Sequence, residues 1–471
     1  MSETISVDFC VIGGGAAGIE VAIAAAAFGQ RVAVIEKHKT GGDSLYCGGA
    51  ASKALLAAGK RAQAMREAGK FGIAPVEPRI DHRAVRDGVR GVIDAIAPNS
   101  AIERLSGLGI RVITAAGRFL DKQTVAAGEH RVTARYFVIA TGSSPLAPPI
   151  PGLADIPYFT NETIFDNARF LPHLIVIGAT GVGLELAQAH RRLGSAVTVL
   201  ESANVLAEYD PELAQPLLER LNAEDVDIRD GVRIERVVAD AAGVRIALAG
   251  GGEIEGSHIL VAAGRKPNIS DLGLEAAGVK FDASGVKVSG GLITSNARVF
   301  AVGDATGDPP FTHNATEHAG VVIKRALFKL PVNVAKHASP RVVFTDPELA
   351  HVGLAEQDAR QKYGRVSALR WPYHENDRAQ AERETSGHAK VVVDKRGRIR
   401  GATIAGAQAG ELIQMWSLAV AHGMKINAMT RWISAYPTLS EINKRAAFRH
   451  LVTIPSKPLV RKVIALLSKL G

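Results

Sequence analysis

Residues 8–36 read DFCVIGGGAAGIEVAIAAAAFGQRVAVIE: a short apolar strand, a glycine turn, an alanine-rich helix and a second apolar strand. Gly13, Gly15 and Gly18 meet the G-x-G-x-x-G pattern in the strand–turn–helix setting that gives the pattern meaning. The first glycine makes the tight turn, and the second lets the backbone approach a pyrophosphate. The third lets helix and strand pack closely, with the helix N-terminus facing the anion. Glu36 closes the second strand, 36 − 13 = 23 residues on, where an acid grips a ribose hydroxyl pair. The stretch predicts a doubly wound α/β unit that binds a dinucleotide.

Working outward, the same plan recurs in HLIVIGATGVGLELAQAHRRLGSAVTVLE, residues 173–201. Gly178 aligns with Gly13, and Glu201 lies 201 − 178 = 23 residues further on. Two such units in one chain suggest that electrons pass between two cofactors. One position differs: Thr180 stands where the middle glycine belongs, so Gly178, Gly181 and Gly183 read GxxGxG, and its Cβ would crowd a pyrophosphate. The alternatives are a rearranged turn that still binds a nicotinamide dinucleotide and a retained but empty Rossmann unit. Glu201 favours an unphosphorylated ribose, hence NAD over NADP.

At 471 residues, with 47% hydrophobic and 22% charged, the chain suits a soluble protein of about three domains of roughly 150 residues. Two cysteines, Cys10 and Cys47, exclude a disulfide-stapled secreted fold, and no CxxC suggests a zinc ribbon. No basic leader precedes the first strand, and Asp8 and Glu20 interrupt the most apolar stretch, so the chain reads as cytoplasmic with no membrane span. Nucleic acid is not an expected partner despite the net charge of +9, because the basic residues lack interleaved aromatics.

Eight ordered motifs carry a resemblance: VIGGGAAG (11–18), GGDSLYCGGAASKALL (41–56), VIATGSSPLAPPIPG (138–152), VIGATGVGLELA (176–187), AAGRKPN (262–268), VFAVGDATG (299–307) with FTHNATEHAG (311–320), FTDPELAHVGL (344–354) and YPTLSEINKRAA (436–447). From end to end the chain resembles the pyridine nucleotide-disulfide oxidoreductases, in their mercuric-reductase-like and dihydrolipoamide-dehydrogenase-like branch. That resemblance implies an FAD domain from 1–150 and 265–335, an NAD(P) domain at 151–264, and a C-terminal α+β dimerisation domain at 340–450 making a homodimer. Residues 341–354 and 388–406 have the β-branched runs of antiparallel strands. Carried over by position, Gly13, Gly15, Gly18 and Glu36 would hold the ADP half of FAD. Gly42, Gly117 and Thr141-Gly142-Ser143 would line its path, and Asp304 would bond the ribitol. Gly178, Gly181, Gly183, Glu201 and Gly264 complete the cofactor-lining set. Lys53 would sit beside the flavin N5, paired with Glu185, where a cation lowers the energy of an anionic reduced flavin.

The departures are informative. Relatives carry two cysteines at the positions of Ser44 and Gly49, and neither a hydroxyl nor a hydrogen cycles electrons. The relatives' proton-shuttling histidine, which comes from the partner subunit, is Tyr436 here; the orienting acid remains as Glu441. A tyrosine with a reference pKa near 10 is a poor base at neutral pH. Cys10 reads as a buried strand residue and Cys47 as a space-filler, while His313 and His318 read as structural or flavin-flanking, without the companions of a metal site. The function expected is an FAD-dependent NAD(P)H:acceptor oxidoreductase delivering electrons straight from flavin to a small acceptor such as a quinone. The alternatives are a non-catalytic FAD-binding module and, last, a disulfide reductase using Cys47 with an external thiol.

Residues 451–471 end in PSKPLVRKVIALLSKLG. On a helix, Leu459, Val460, Val463, Ile464, Leu466, Leu467 and Leu470 share one face, with Arg461, Lys462 and Lys469 opposite. Two readings fit: a helix docked on the protein's own dimer domain, or a peripheral contact with an anionic membrane inner face.

Overall fold

The computed structural model describes residues 3–240, 243–335, 338–452 and 458–469. The apolar run ahead of the first glycine turn forms β1 (Glu3–Ile12), with Phe9, Cys10, Val11 and Ile12 all buried. Such a continuous apolar stretch suits a parallel strand covered on both faces. β1 pairs in parallel with β2 (Val32–Glu36), and β2 with β3 (Ile110–Thr114). An antiparallel excursion, β4 (Gly117–Asp121) and β5 (Thr124–Ala127), leads into β6 (His130–Ile139), which returns to lie parallel to β1 on its other side. The chain therefore leaves β1 towards one edge and comes back on the other, and in such sheets ligands lie outside the carboxyl end of the strand where the order reverses. Here that position is the turn at residues 13–18.

Alanines explain how the helices sit on this sheet. α1 (Ala16–Ala27) turns Ala17, Ile19, Val21, Ala22 and Ala25 into a core that also takes Ala315, Ala319, Val322 and Ile323 from a later helix, Thr312–Ala326. Side chains this short let helix backbones approach closely. The second repeat folds likewise: β7 (His173–Ile177) lies between β8 (Ala196–Leu200) and the strand His258–Val261, all parallel. A three-stranded antiparallel meander over Ile234–Gly256 shares its core through Val237, Ile246 and Ile254.

The chain divides into two compact units: Met1–Arg61, Arg79–Leu200 and Val232–Val334 form one, and Ala62–Pro78, Glu201–Gly231 and Ala335–Gly471 the other. The second is built on a five-stranded antiparallel sheet whose strands include Glu348–Gly353, His388–Asp394 and Ile399–Gly406. Trp416 is fully buried there, and its indole N–H donates to Asn443 Oδ1 at 2.7 Å. Lys390 is also sealed in, its ammonium meeting Asp210 at 2.6 Å, Glu212 at 2.9 Å and Glu356 at 3.0 Å. Three carboxylates match the three N–H donors of a lysine, which makes a buried cation tolerable. The mixed α/β architecture with Rossmann-like sheets and a C-terminal α+β part agrees with the sequence reading. Among the described residues no helix is long and apolar enough to cross a membrane.

Candidate functional site

The first glycine turn is fixed by close backbone approaches. Gly13 has φ +111°, and a Cβ there would stand 2.2 Å from the Ala140 carbonyl oxygen; one at Gly18 would stand 1.9 Å from the oxygen of Gly13. Gly15 is the N-cap of α1, and among the described residues no side-chain cap bonds there, which leaves the positive dipole end of the helix open to an anion. Glu36 closes over the turn: the Gly14 N–H donates to Glu36 Oε2 at 2.6 Å and the His38 N–H to Oε1 at 2.7 Å. Gly42 packs on Gly15 so tightly that a Cβ would lie 2.8 Å from the Gly15 Cα. Gly117 serves packing, wedged against Ile12 and Ile35.

Beyond the turn, one side chain organises a cluster that sequence alone does not reveal. Arg265 donates through Nε to Ser143 Oγ at 2.7 Å, through Nη2 to the Ser143 carbonyl at 2.7 Å and to Asp43, and through Nη1 to Asn161 Oδ1 at 3.3 Å. Ser143 Oγ in turn donates to Asp304 Oδ2 at 2.5 Å, while Asn161 Nδ2 donates to the Cys47 carbonyl at 3.0 Å. Thr141 Oγ1 donates to the Asn268 carbonyl at 2.7 Å, and Gly142 takes φ +66°. Arg265 follows Gly264, and thereby ties three of the quoted motifs together. His318 supports the same corner: its Nδ1 accepts the Gly303 N–H at 3.0 Å, next to Asp304. His313 stacks on Phe311. No group of His, Cys, Asp and Glu among the described residues could hold a metal ion.

Lys53 and Glu185 meet across 132 residues, Nζ to Oε2 at 2.7 Å. Lys53 lies on the helix Gly49–Arg66 and keeps 37% of its side chain exposed, against 5% for Glu185. The ammonium is thus anchored from behind and accessible in front. Ahead of that helix, the Ser44 hydroxyl donates to the Gly41 carbonyl at 3.2 Å, and a Cβ at Gly49 would stand 3.0 Å from the Ser44 oxygen. Cys10 and Cys47 are free thiols. Burial, then the carboxylates of Asp43 and Glu162, push the Cys47 thiol up to about 12, so it carries negligible thiolate at neutral pH. Burial pushes Cys10 up as well.

The second turn repeats the frame of the first with a different middle. Gly178 has φ +104°, and a Cβ there would sit 2.6 Å from the Ala262 oxygen; at Gly183 it would sit 2.2 Å from the Gly178 oxygen. Thr180 is the N-cap of the helix Gly181–Arg192, hereafter α2. Its Oγ1 accepts the Gly183 N–H at 3.2 Å and donates to the Ala262 carbonyl at 3.0 Å. Glu201, Tyr436 and Glu441 fall in the other compact unit. There Glu201 Oε1 accepts the Ala203 N–H at 3.0 Å. The Tyr436 hydroxyl donates to Asp377 Oδ2 at 2.9 Å, and that hydrogen bond and charge raise its pKa further. Glu441, the acid that orients the histidine of relatives, adds its negative charge to that of Asp377 in raising the Tyr436 hydroxyl.

Comparison with known proteins agrees with this geometry. The family described as pyridine nucleotide-disulphide oxidoreductase matches residues 7–319, and its dimerisation domain matches 339–447. The mercuric reductase of Bacillus cereus is 31% identical over 440 residues, covering 92% of this chain and 70% of the relative. The dihydrolipoyl dehydrogenase of Geobacillus stearothermophilus is 32% identical over 455 residues, covering 94% and 96%. Among solved structures, LpdA of Mycobacterium tuberculosis superposes with a TM-score of 0.88 at 27% identity, covering 94% of this chain and all of that one (100%). The chain belongs to the pyridine nucleotide-disulphide oxidoreductase family, whose members are FAD-dependent oxidoreductases that work with NAD(P)H.

Proposed function

We propose that this chain is an FAD-dependent NAD(P)H:acceptor oxidoreductase that hands electrons from flavin directly to a non-disulfide acceptor such as a quinone, working as a homodimer with NADH preferred. The observation that carries the reading is the Lys53–Glu185 pair, present and anchored at 2.7 Å in a chain with Ser44 and Gly49 at the sulfur positions. A chain that had lost redox work would have no use for an ammonium held half-exposed by a buried carboxylate.

The residues present fit FAD. The uncapped N-terminus of α1 offers several N–H donors to a pyrophosphate, and Gly15 and Gly42 hold no side chain over them. Glu36 accepts two backbone N–H groups and still has lone pairs for ribose hydroxyls. Asp304 has Oδ2 fixed by Ser143, and its Oδ1 accepts no hydrogen bond among the described residues, which suits a polyol chain. Bound there, FAD would supply two-electron chemistry, able to accept a hydride from a nicotinamide and pass electrons to an acceptor. Lys53 supplies a fixed positive charge near that chemistry, and Glu185 orients it. Arg265 holds the segment of Asp43 and Cys47 and the Ser143 carbonyl in register. Cys47, protonated and without a cysteine partner at 44 or 49, takes no part in electron transfer. Tyr436, its hydroxyl tied to Asp377 and its pKa raised, is an aromatic surface rather than a base. Glu201 favours NADH by its place at the end of the second repeat.

The test is spectroscopic. Purified protein should be yellow, and anaerobic NADH should bleach it within seconds, with a quinone restoring the colour. A yellow protein indifferent to both NADH and NADPH would instead identify a flavin-binding module, and a colourless one that takes up no FAD on reconstitution would end the proposal.

A further inference from the structure

The formal charge of the chain is unevenly distributed. Residues 442–471 contain Lys444, Arg445, Arg449, Lys457, Arg461, Lys462 and Lys469 and no Asp or Glu, so this stretch supplies +7 of +9 and leaves 9 − 7 = +2 for all the rest. The structure has two helices here, Glu441–Val452, whose first residue lies just ahead of the acid-free stretch, and Pro458–Leu467. On the second, at about 100° per residue, Val460, Val463, Ile464, Leu466 and Leu467 occupy an arc of roughly 160°, and Arg461 and Lys462 lie on the opposite side. Leu470 and Lys457 fall outside the described residues, as does the side chain of Leu459.

Among the described residues Val460 is half-buried and the other four apolar side chains of this face are exposed. Val463 is 47% exposed, Ile464 56%, Leu466 63% and Leu467 59%, and Val452, at the end of the preceding helix, is 61% exposed. A helix of ten residues is marginal in water on its own and gains stability only where its apolar stripe finds a non-aqueous medium. It measures about 15 Å, half the hydrocarbon thickness of a bilayer, so it can lie in a membrane surface but not cross one. Charge selects among the possible media. A second copy of this chain brings the same excess of cations to the same region, whereas a surface of acidic lipid headgroups complements it.

We propose that the helix Pro458–Leu467 binds the surface of an anionic phospholipid bilayer, lying in the interface with its leucines down and its arginine and lysine among the headgroups. This inference stands on charge and exposure alone and holds whether or not the redox reading does. With a lipid-soluble acceptor such as a quinone, it would bring the enzyme to its substrate.

The experiment is co-sedimentation of the full-length flavoprotein with large vesicles of phosphatidylglycerol mixed with phosphatidylcholine, or of phosphatidylcholine alone, at low and high salt. The wild type should pellet with the anionic vesicles only and be released by salt. Ile464→Asp with Leu467→Asp should abolish pelleting, and Arg461→Ala with Lys462→Ala should weaken it roughly 10- to 30-fold. Both double variants should keep their flavin absorbance and NADH-dependent bleaching. Equal binding to both vesicle types, no binding by the wild type, or unchanged binding by Ile464→Asp/Leu467→Asp would overturn the proposal. So would a change of dimer mass in that variant by light scattering with the wild type ignoring vesicles, which would assign the face to a protein partner.

Discussion

The two glycine turns share one skeleton and differ in what they leave free. Both open with a glycine at φ above +100° pressed against a carbonyl, and both close with a glycine beneath the oxygen of the first. At the middle position the first has Gly15, with the start of α1 uncapped; the second has Thr180, whose hydroxyl already takes the Gly183 N–H. An anion arriving at the first turn meets bare donors. One arriving at the second meets a helix end partly satisfied by its own chain. Under the proposed function, the first turn would hold the prosthetic group tightly and the second would take a co-substrate that must come and go. The repeats diverge again two residues after their last glycine: Glu20 is exposed on α1, whereas Glu185 is buried on α2 and grips Lys53.

The strongest way to break this comparison is to block each turn in turn. In Gly18→Ala the new methyl would fall 1.9 Å from the Gly13 oxygen, and in Gly183→Ala 2.2 Å from that of Gly178. Each should cost about 3–5 kcal/mol of local stability. The first should strip the flavin, lowering the ratio of flavin to protein absorbance more than about tenfold. The second should keep its colour and lose bleaching by NADH. Equal loss of flavin from both would mean that the repeats do not divide the labour.

Lys53→Met tests the acid pair. Flavin content should hold while reduction by NADH slows by about 100- to 1,000-fold, the usual scale for removing a fixed charge from a reacting centre. Stopped-flow absorbance at the flavin band measures it. Removing Lys53 also strands the buried Glu185, at about 1–3 kcal/mol once the exposure of the lysine is allowed for. Lys53→Met/Glu185→Leu should recover that stability and not the rate, whereas Glu20→Gln, the counterpart in the first repeat, should change neither.

Acid should separate the repeats as well. Burial holds the His190 imidazole of α2 at about 4, with Nε2 lacking a hydrogen-bond partner among the described residues; Ala25 stands at the matching place in α1. Because the folded pKa lies below the unfolded value near 6.5, the unfolded chain takes up the proton first. Stability is untouched above about pH 6.5 and falls as pH drops towards 4, by on the order of 3 kcal/mol in all. His351, similarly depressed by burial, acts in the other compact unit, so local amide exchange is the readout rather than global melting. At pH 5, α2 amides should lose protection before those of α1, and His190→Leu should remove the gap. Simultaneous loss in both helices, unaffected by the variant, would argue against it.

Much of this frame is legible in the sequence because glycine spacing is a local signal. Gly13 and Gly18 recur as Gly178 and Gly183, and the offset of 23 residues to Glu36 and Glu201 marks where each second strand ends. The pairing of Lys53 with Glu185 spans 132 residues, and no periodicity connects them; only resemblance to a family brings them together. Arg265 is harder still. It is one cation among 56, and nothing near it announces that its guanidinium will reach Asp43, Ser143 and Asn161. Tyr436 is a related case: its hydroxyl donates to Asp377, 59 residues away, a partner that no local spacing announces. Thr180 is a different case. Threonine is a good N-cap residue ahead of a helical pattern. Against a glycine template it reads as bulk, although its hydroxyl has work in the helix itself.

Thr180→Gly therefore gives the smallest and most discriminating effect. Losing the hydroxyl costs α2 a few tenths of a kcal/mol, since glycine is itself an acceptable cap. It also releases the Gly183 N–H, now 3.2 Å from Oγ1, for a pyrophosphate oxygen. A single N–H to a charged acceptor is worth about 1.5 kcal/mol at the low end, and the added backbone freedom offsets part of that. The KM for NADH should fall about threefold to tenfold by these magnitudes, with flavin content and the Lys53-dependent rate unchanged. A rise in KM would reverse the assignment. Thr180 would then be a ligand for the dinucleotide through its own hydroxyl, and the GxxGxG turn a rearranged binding site instead of a partly closed one.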